Sequence, residues 1–527
     1  MKPAPATTET PPLTRLRKTV FGSSMLSGIL AGFLAATPAA LSAQQPTSQI
    51  IPRPRLEKLT GDAVTLAGAG GDITVSYVSG EPKPAALTEG LGLLAARFKS
   101  LGGSLRDAKA DATRAMIVFE KCPMETMART LSARGVKEVL DPKRLAQAYQ
   151  LSVSASGKGQ VTLRAAGDLG LYYGVVSLVQ LVEADSKGKL QVPAGEILDW
   201  PEIAHRLAKT SATDNAPAIV NRFAAWMPFY KISQVGLQFH GVESLELDTN
   251  FTTSIKAICG WARRTAICET VVYFCPFRGK PKNVGAYDFR LPEHRAAYVQ
   301  LLEGFLAQGA HGIEVDYNDW GDNPEIPIED VLNLACESVW KKDPAAYVFW
   351  CAPNLGTATY NGPATPELAR ILSKVPDRVW PLWVGSPENW NGFRGAIPRR
   401  LEAEDWTRTT GRRPFLWLNR VSFGVTNEMG RALAEAQGAH AFRGEVMPKD
   451  LNRLIAGVHF NAGMSKGYMK LPNEFSPEAL AYFATAADYV WNPHDWEAVE
   501  SCRRARRFMS IMSPLLAQRV ALVAAEN

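Results

Sequence analysis

The chain has 527 residues, of which 46% are hydrophobic and 21% charged, the balance of a globular protein rather than a disordered one. Its net charge of +6 arises from 58 basic and 52 acidic residues interleaved along the sequence, which excludes the concentrated basic stripe of a nucleic-acid binder. The cysteines show no CxxC spacing and the histidines no HExxH, so neither a disulfide framework nor a zinc site is indicated, and no metal or cofactor is expected.

Residues 1–43 read as a signal peptide. Arg15, Arg17 and Lys18 precede an apolar, small-residue run from Val20 to Leu41, and Ala40-Leu41-Ser42-Ala43 offers a cleavage site. A retained anchor is the rival reading, but Pro38 and the many Gly, Ser and Ala residues make a poor span. Export to the periplasm or the medium is therefore expected, and the chain after cleavage has no stretch of about 18 apolar residues to serve as a membrane span.

Residues 44–54 form a Pro/Gln/Ser linker, and 55–205 alternate between strand and helix patterns. Ile73–Tyr77 and Ala115–Phe119 predict strands, and Leu87–Leu101 predicts a helix. Tyr149–Ser154 and Gln160–Ala165 flank a Ser-Gly-Lys-Gly turn as a hairpin, and Gly170–Glu183 predicts the helix that follows. This is a small α+β domain.

Residues 206–472 repeat a β-then-α rhythm. Strand-like runs fall at Ile232–Phe239, Thr270–Phe274, Gly312–Val315, Ala346–Trp350, Arg378–Trp383, Pro414–Leu418 and Ala439–Arg443. Six or seven such units over about 260 residues predict an α/β fold of the TIM (β/α)8 type. A doubly wound sheet is the rival, but no GxGxxG opens any unit. Residues 473–527 are helical by pattern, and their basic cluster Arg503–Arg507 reads as a solvated helix face.

In such a barrel the reacting groups lie just past the C-terminal ends of the strands. The richest end is Gly312-Ile-Glu-Val-Asp316-Tyr317-Asn318-Asp319-Trp320, where an apolar strand runs into acids, an amide and an aromatic. Asp316 and Asp319 are the candidate catalytic acids, because crowded carboxyls can have the raised pKa that a general acid needs. The plainer alternative for Asp319 is a helix cap or turn. Tyr317 and Asn318 are candidate sugar contacts. Other strand ends carry Asn354, Trp383, Trp417 and Asn419, the aromatic faces and amides that a pyranose-binding cleft would use, although most tryptophans simply pack between strand and helix. His240 and Arg278 close two earlier strands and are weaker candidates for substrate contacts.

Two stretches resemble known families. Gly170-Leu-Tyr-Tyr173-Gly174, Val192-Pro193, Ile197-Leu-Asp199-Trp-Pro201 and Arg206 resemble the α+β domain that precedes the barrel in bacterial hexosaminidases and α-glucuronidases. Trp383-Val-Gly385, Arg413-Pro-Phe-Leu-Trp417-Leu-Asn419, Phe442-Arg-Gly444 through Phe460-Asn461, and Ala487-Asp-Tyr-Val-Trp-Asn-Pro493 are similar to the family 84 glycoside hydrolases, the O-GlcNAcase and hyaluronidase-like β-N-acetylglucosaminidases. The resemblance adds Asn461 to the sugar contacts. It implies a retaining, substrate-assisted hydrolysis in which one carboxylate orients the 2-acetamido group and a neighbouring acid protonates the leaving group.

The sequence departs from that family at telling places. Its adjacent Asp-Asp aligns with Asp316-Tyr317, its first-strand Gly-Val-Ile-Glu-Gly-Phe-Tyr-Gly is replaced by Leu207-Ala-Lys-Thr-Ser-Ala, and Leu418 stands where an Asp binds sugar. Three readings follow: an N-acetylhexosaminidase with Asp319 as the second acid, a glycosidase of the same plan acting on another sugar such as a uronic acid, or a carbohydrate-binding protein without activity.

Overall fold

A computed structural model describes residues 48–67, 70–107, 116–156, 159–211, 217–239, 249–274, 288–317, 327–352, 362–383, 400–418, 448–461 and 477–525. The N-terminal domain is a mixed sheet covered by helices. Its strands are β1 (Leu56–Ala67), β2 (Asp72–Val78), β3 (Ser104–Asp107), β4 (Ile117–Lys121), β5 (Tyr149–Ser154), β6 (Gln160–Ala165), β7 (Glu183–Ala184) and β8 (Leu190–Asp199), in the order β1-β8-β5-β6-β4-β2-β3 with β7 added beside β8. The β5–β6 hairpin has the predicted bounds. The predicted helix over 170–183 runs from Asp168 to Leu181 and is buried along nearly its whole length. Gly174 is what lets this helix lie on the sheet: a Cβ there would stand 2.6 Å from a methyl of Leu163 on β6.

The second domain is a closed barrel of eight parallel strands: β9 (Arg206–Ser211), β10 (Gln234–Phe239), β11 (Glu269–Phe274), β12 (Gly312–Asp316), β13 (Tyr347–Cys351), β14 (Val379–Trp383), β15 (Phe415–Leu418) and β16 (Gly457–Asn461). The (β/α)8 expectation is met, with two differences in detail. β9 and β16, which pair with each other to close the barrel, are absent from the strand-like runs of the sequence, and β9 is marked there only by the family resemblance. Each carries a charged or titratable residue, Lys209 or His459, on the face that turns inward, so neither shows the continuous apolar run of a buried parallel strand. The predicted strand Ala439–Arg443 lies outside the described residues.

The barrel floor is plugged by aromatic rings. Trp380 and Phe415 stack at 5.4 Å, and Phe349 meets each of them edge-on at 5.2 and 5.0 Å. Gly457 leaves the room this plug needs, since a Cβ there would come within 2.1 Å of the Phe415 ring. Below the floor, Tyr347 donates to Glu269 at 3.0 Å and accepts from Lys143 of the N-terminal domain at 2.7 Å.

The two domains and the C-terminal helices (Pro477–Trp491 and Ala498–Ala525) meet at one buried polar hub. At the end of β8, the Asp199 carboxylate accepts from Tyr149 at 2.7 Å, from Lys231 at 2.8 Å and from the Trp491 indole at 2.9 Å. It also takes the backbone N–H groups of Arg55 and Trp200. The neighbouring Arg206 is wholly buried, donates to Gln147 and to backbone carbonyls of Ala204 and Lys231, and lies 4.9 Å from the Trp491 ring centre. Asp488 in turn accepts from Ser501, Arg504 and the Arg53 amide. The residues that carried the family resemblance, Asp199, Arg206, Asp488 and Trp491, thus hold the domains together. The solvated reading of Arg503–Arg507 is corrected accordingly: Arg503 is an exposed partner of Glu500, but Arg504 is buried against Asp488 and Arg507 pairs with Glu183.

Candidate active site

Strand β12 alternates, so Glu314 and Asp316 face the barrel lumen while Val315 and Tyr317 face outward to the helices. Asp316 is the last residue of the strand and only 3% exposed, at the C-terminal mouth where barrel chemistry is done. The Tyr273 hydroxyl of β11 and the Cys351 thiol of β13 lie beside its carboxylate, and Asp316 helps to push both of their pKa values up, after burial as the largest cause.

Tyr317 extends the β12–β13 ladder, its amide donating to the Cys351 carbonyl at 2.9 Å, and its side chain is buried in the apolar layer outside the wall. The residue in the position of the second family acid therefore points away from the lumen. Trp383 behaves similarly. It was expected to offer a ring to sugar at the rim, but it packs on Trp406 at 5.0 Å and donates its indole N–H to the Gly362 carbonyl at 2.7 Å. Alternation explains this: Trp380 and Leu382 take the inward positions of β14, leaving Trp383 for the strand–helix layer.

Trp417 does face the lumen. Its ring stacks on His459 of β16 at 5.1 Å, with the Lys209 ammonium 4.3 Å from its centre. Lys209 also lies 3.5 Å from the centre of the Tyr273 ring. Asn461 ends β16 in register with Lys209, although its side chain lies outside the described residues. Asn318, Asp319, His240, Arg278, Asn354 and Asn419 also lie outside them.

The lumen holds four groups that the sequence reading did not select: Lys209, Tyr273, Glu314 and His459. Glu314 is fully buried one pleat below Asp316, with His459 Nδ1 4.0 Å from its carboxyl. Burial drives the Glu314 pKa well above the usual carboxylate range against the opposing pull of Lys209, and Asp316 adds a smaller push in the same direction as burial. Burial, reinforced by Lys209, keeps His459 neutral well below its ordinary value. A partial signal was present in the sequence: Glu314 shares the parity of Asp316, and His459 stands between Val458 and Phe460 in an apolar stretch.

Comparison with known proteins supports this architecture. Residues 47–200 match the family model described as glycosyl hydrolase family 20, domain 2. No curated protein matches the chain at the level of sequence. Among solved structures, the chain is similar to the chitobiase of Flavobacterium johnsoniae, with 14% identity over 89% of this chain and 73% of that one and a TM-score of 0.62. It is also similar to the family 20 β-N-acetylhexosaminidase of Streptomyces coelicolor A3(2), with 14% identity, 89% and 97% covered and a TM-score of 0.57. The family 84 protein CpGH84B gives 16% identity, 86% and 73% covered and a TM-score of 0.57. The hexosaminidase-type N-terminal domain and the barrel that follows it therefore reproduce the fold of families 20 and 84.

Proposed function

We propose that the protein is a glycoside hydrolase acting on N-acetylhexosaminides, with Asp316 as the carboxylate that orients the 2-acetamido group. The observation that carries the reading is Asp316 itself: a lumen-facing carboxylate at the mouth of β12, within a two-domain fold shared with the β-N-acetylhexosaminidase of Streptomyces coelicolor. In this mechanism Asp316 accepts the amide N–H of the bound sugar, which aims the acetamido oxygen at the anomeric carbon. The oxygen displaces the leaving group from the opposite face, and water later opens the cyclic intermediate with overall retention. A second group must protonate the leaving oxygen and afterwards take a proton from water. Tyr317 faces the wrong side of the strand for this, so we assign the role to Asp319, three positions further along the chain than Asp316. The amino-terminal leader reading assigns the reaction to the periplasm or the medium.

The test is turnover of an aryl N-acetyl-β-glucosaminide by the mature chain, inhibition by a thiazoline mimic of the cyclic intermediate, and loss of rate in Asp316→Asn. Removing a pre-aimed electrostatic contact of this kind costs on the order of 10²–10³ in turnover. The outward turn of Tyr317 favours a second reading, sugar binding without hydrolysis. Thiazoline binding with no turnover of any aryl glycoside would establish that reading instead, and turnover of an aryl glucuronide alone would remove the acetamido group from the mechanism.

A further inference from the structure

Glu314 has no ordinary structural role. It sits on a central strand of a closed barrel, wholly removed from water, and neither of its carboxyl oxygens finds a hydrogen-bond donor among the described residues. A buried carboxylate in that condition is strongly disfavoured, whereas its protonated form is disfavoured far less.

The groups that face it come from five strands. β9 contributes Lys209, whose stem passes over Gly236 of β10, where a Cβ would stand 3.2 Å from the Lys209 Cβ. β11 contributes the Tyr273 hydroxyl, β12 Asp316 itself and β13 the Cys351 thiol, each within electrostatic reach of Glu314 or of its neighbours. β16 contributes His459, whose ring nitrogens also make no hydrogen bond among the described residues. Burial keeps the tyrosine, the thiol and the histidine neutral. Among the described residues, the formal charges then reduce to Lys209, Asp316 and Glu314.

A low-dielectric lumen does not hold two adjacent carboxylates against one ammonium; one of the two takes a proton. The deeper group, without hydrogen bonds, is the one that does. We propose that Glu314 is a positioning residue for Asp316: an uncharged carboxylic acid kept beneath it, so that Asp316, and not Glu314, carries the negative charge of the pair. If Glu314 were ionised, Asp316 would be pushed to take up a proton and would become a weaker, uncharged acceptor for an amide N–H. The part concerning the sugar amide rests on the function proposed above; the charge assignment does not.

Infrared spectroscopy of the intact chain at neutral pH tests the assignment without any substrate. The expected result is a protonated-carboxyl C=O band that shifts in deuterium oxide and disappears in Glu314→Gln. Absence of the band, or its survival in Glu314→Gln, overturns the inference. Should Glu314→Gln not fold, Glu314→Asp must move the band. A second arm measures thiazoline affinity against pH. Once Glu314 ionises, wild-type affinity falls by about tenfold per pH unit, while Glu314→Gln does not follow that fall. Equal pH profiles in the two proteins overturn the positioning role. A band assigned to Glu314 in a protein that binds no thiazoline upholds the charge assignment and overturns the proposed substrate instead.

Discussion

Two of the ionic clusters buried among the described residues are built on opposite principles. At the domain junction, Asp199 receives five donors, and its partner Lys231 also reaches the Tyr149 hydroxyl at 3.0 Å. In the barrel lumen, Glu314 is as deeply buried yet makes no hydrogen bond among the described residues, and His459 Nδ1 stands 4.0 Å from its carboxyl. A satisfied network holds a unique arrangement of elements. A cluster left electrostatically tense at the C-terminal mouth of a barrel has the character of a functional site. Burial alone does not separate the two; the count of completed hydrogen bonds does.

The contrast breaks most visibly at the junction. Asp199→Asn leaves the Lys231 ammonium buried without its counter-charge, and unfolding in urea should show a loss of about 3–5 kcal/mol. Burial already lowers the Lys231 pKa against the pull of Asp199, so the lysine has little else to support its charge. Asp316→Asn should lower stability far less than Asp199→Asn while abolishing most turnover, and a loss as large as that of Asp199→Asn would make the lumen a second structural hub.

A steric test of the floor comes next. Gly457→Ala drives a methyl into the Phe415 ring and should cost about 1–3 kcal/mol in thermal or denaturant unfolding.

Smaller effects sharpen the electrostatic side. Folded Glu314 keeps its proton to higher pH than the unfolded carboxyl, whose ordinary value is 4.5. The folded state therefore binds more protons above that value, and stability falls as pH rises, by at most about 1.4 kcal/mol per pH unit. Glu314→Gln should flatten this slope. His459 acts at the other end. It stays neutral when folded, so the unfolded chain gains protons below the ordinary value of 6.5 and stability falls as the medium is acidified. In His459→Gln that acid-side slope should diminish. An unchanged slope in either variant would show that the group titrates alike in the two states.

Much of the architecture was legible in the sequence because it is written in local periodicities. The hairpin at 149–165, the helix after it and most barrel strands follow from apolar runs and turn residues read over a few positions. Asp316 was legible because the end of an apolar strand can be seen without knowing what lies beside it. β9 and β16 were not, since their inward polar residues disguise them as loops. Nor was the inside-or-outside question for Trp383 and Tyr317, which turns on one residue of register.

The order of residues alone carried the two-domain plan, the barrel rhythm and the carboxyl at the end of β12. It did not carry the company that carboxyl keeps. Lys209 and His459 come from the first and last strands of the barrel and meet only when those strands pair to close it, placing both in the same lumen as Glu314. Charge state in a buried site depends on neighbours and on missing water, and both are set by that closure rather than by any local stretch of chain.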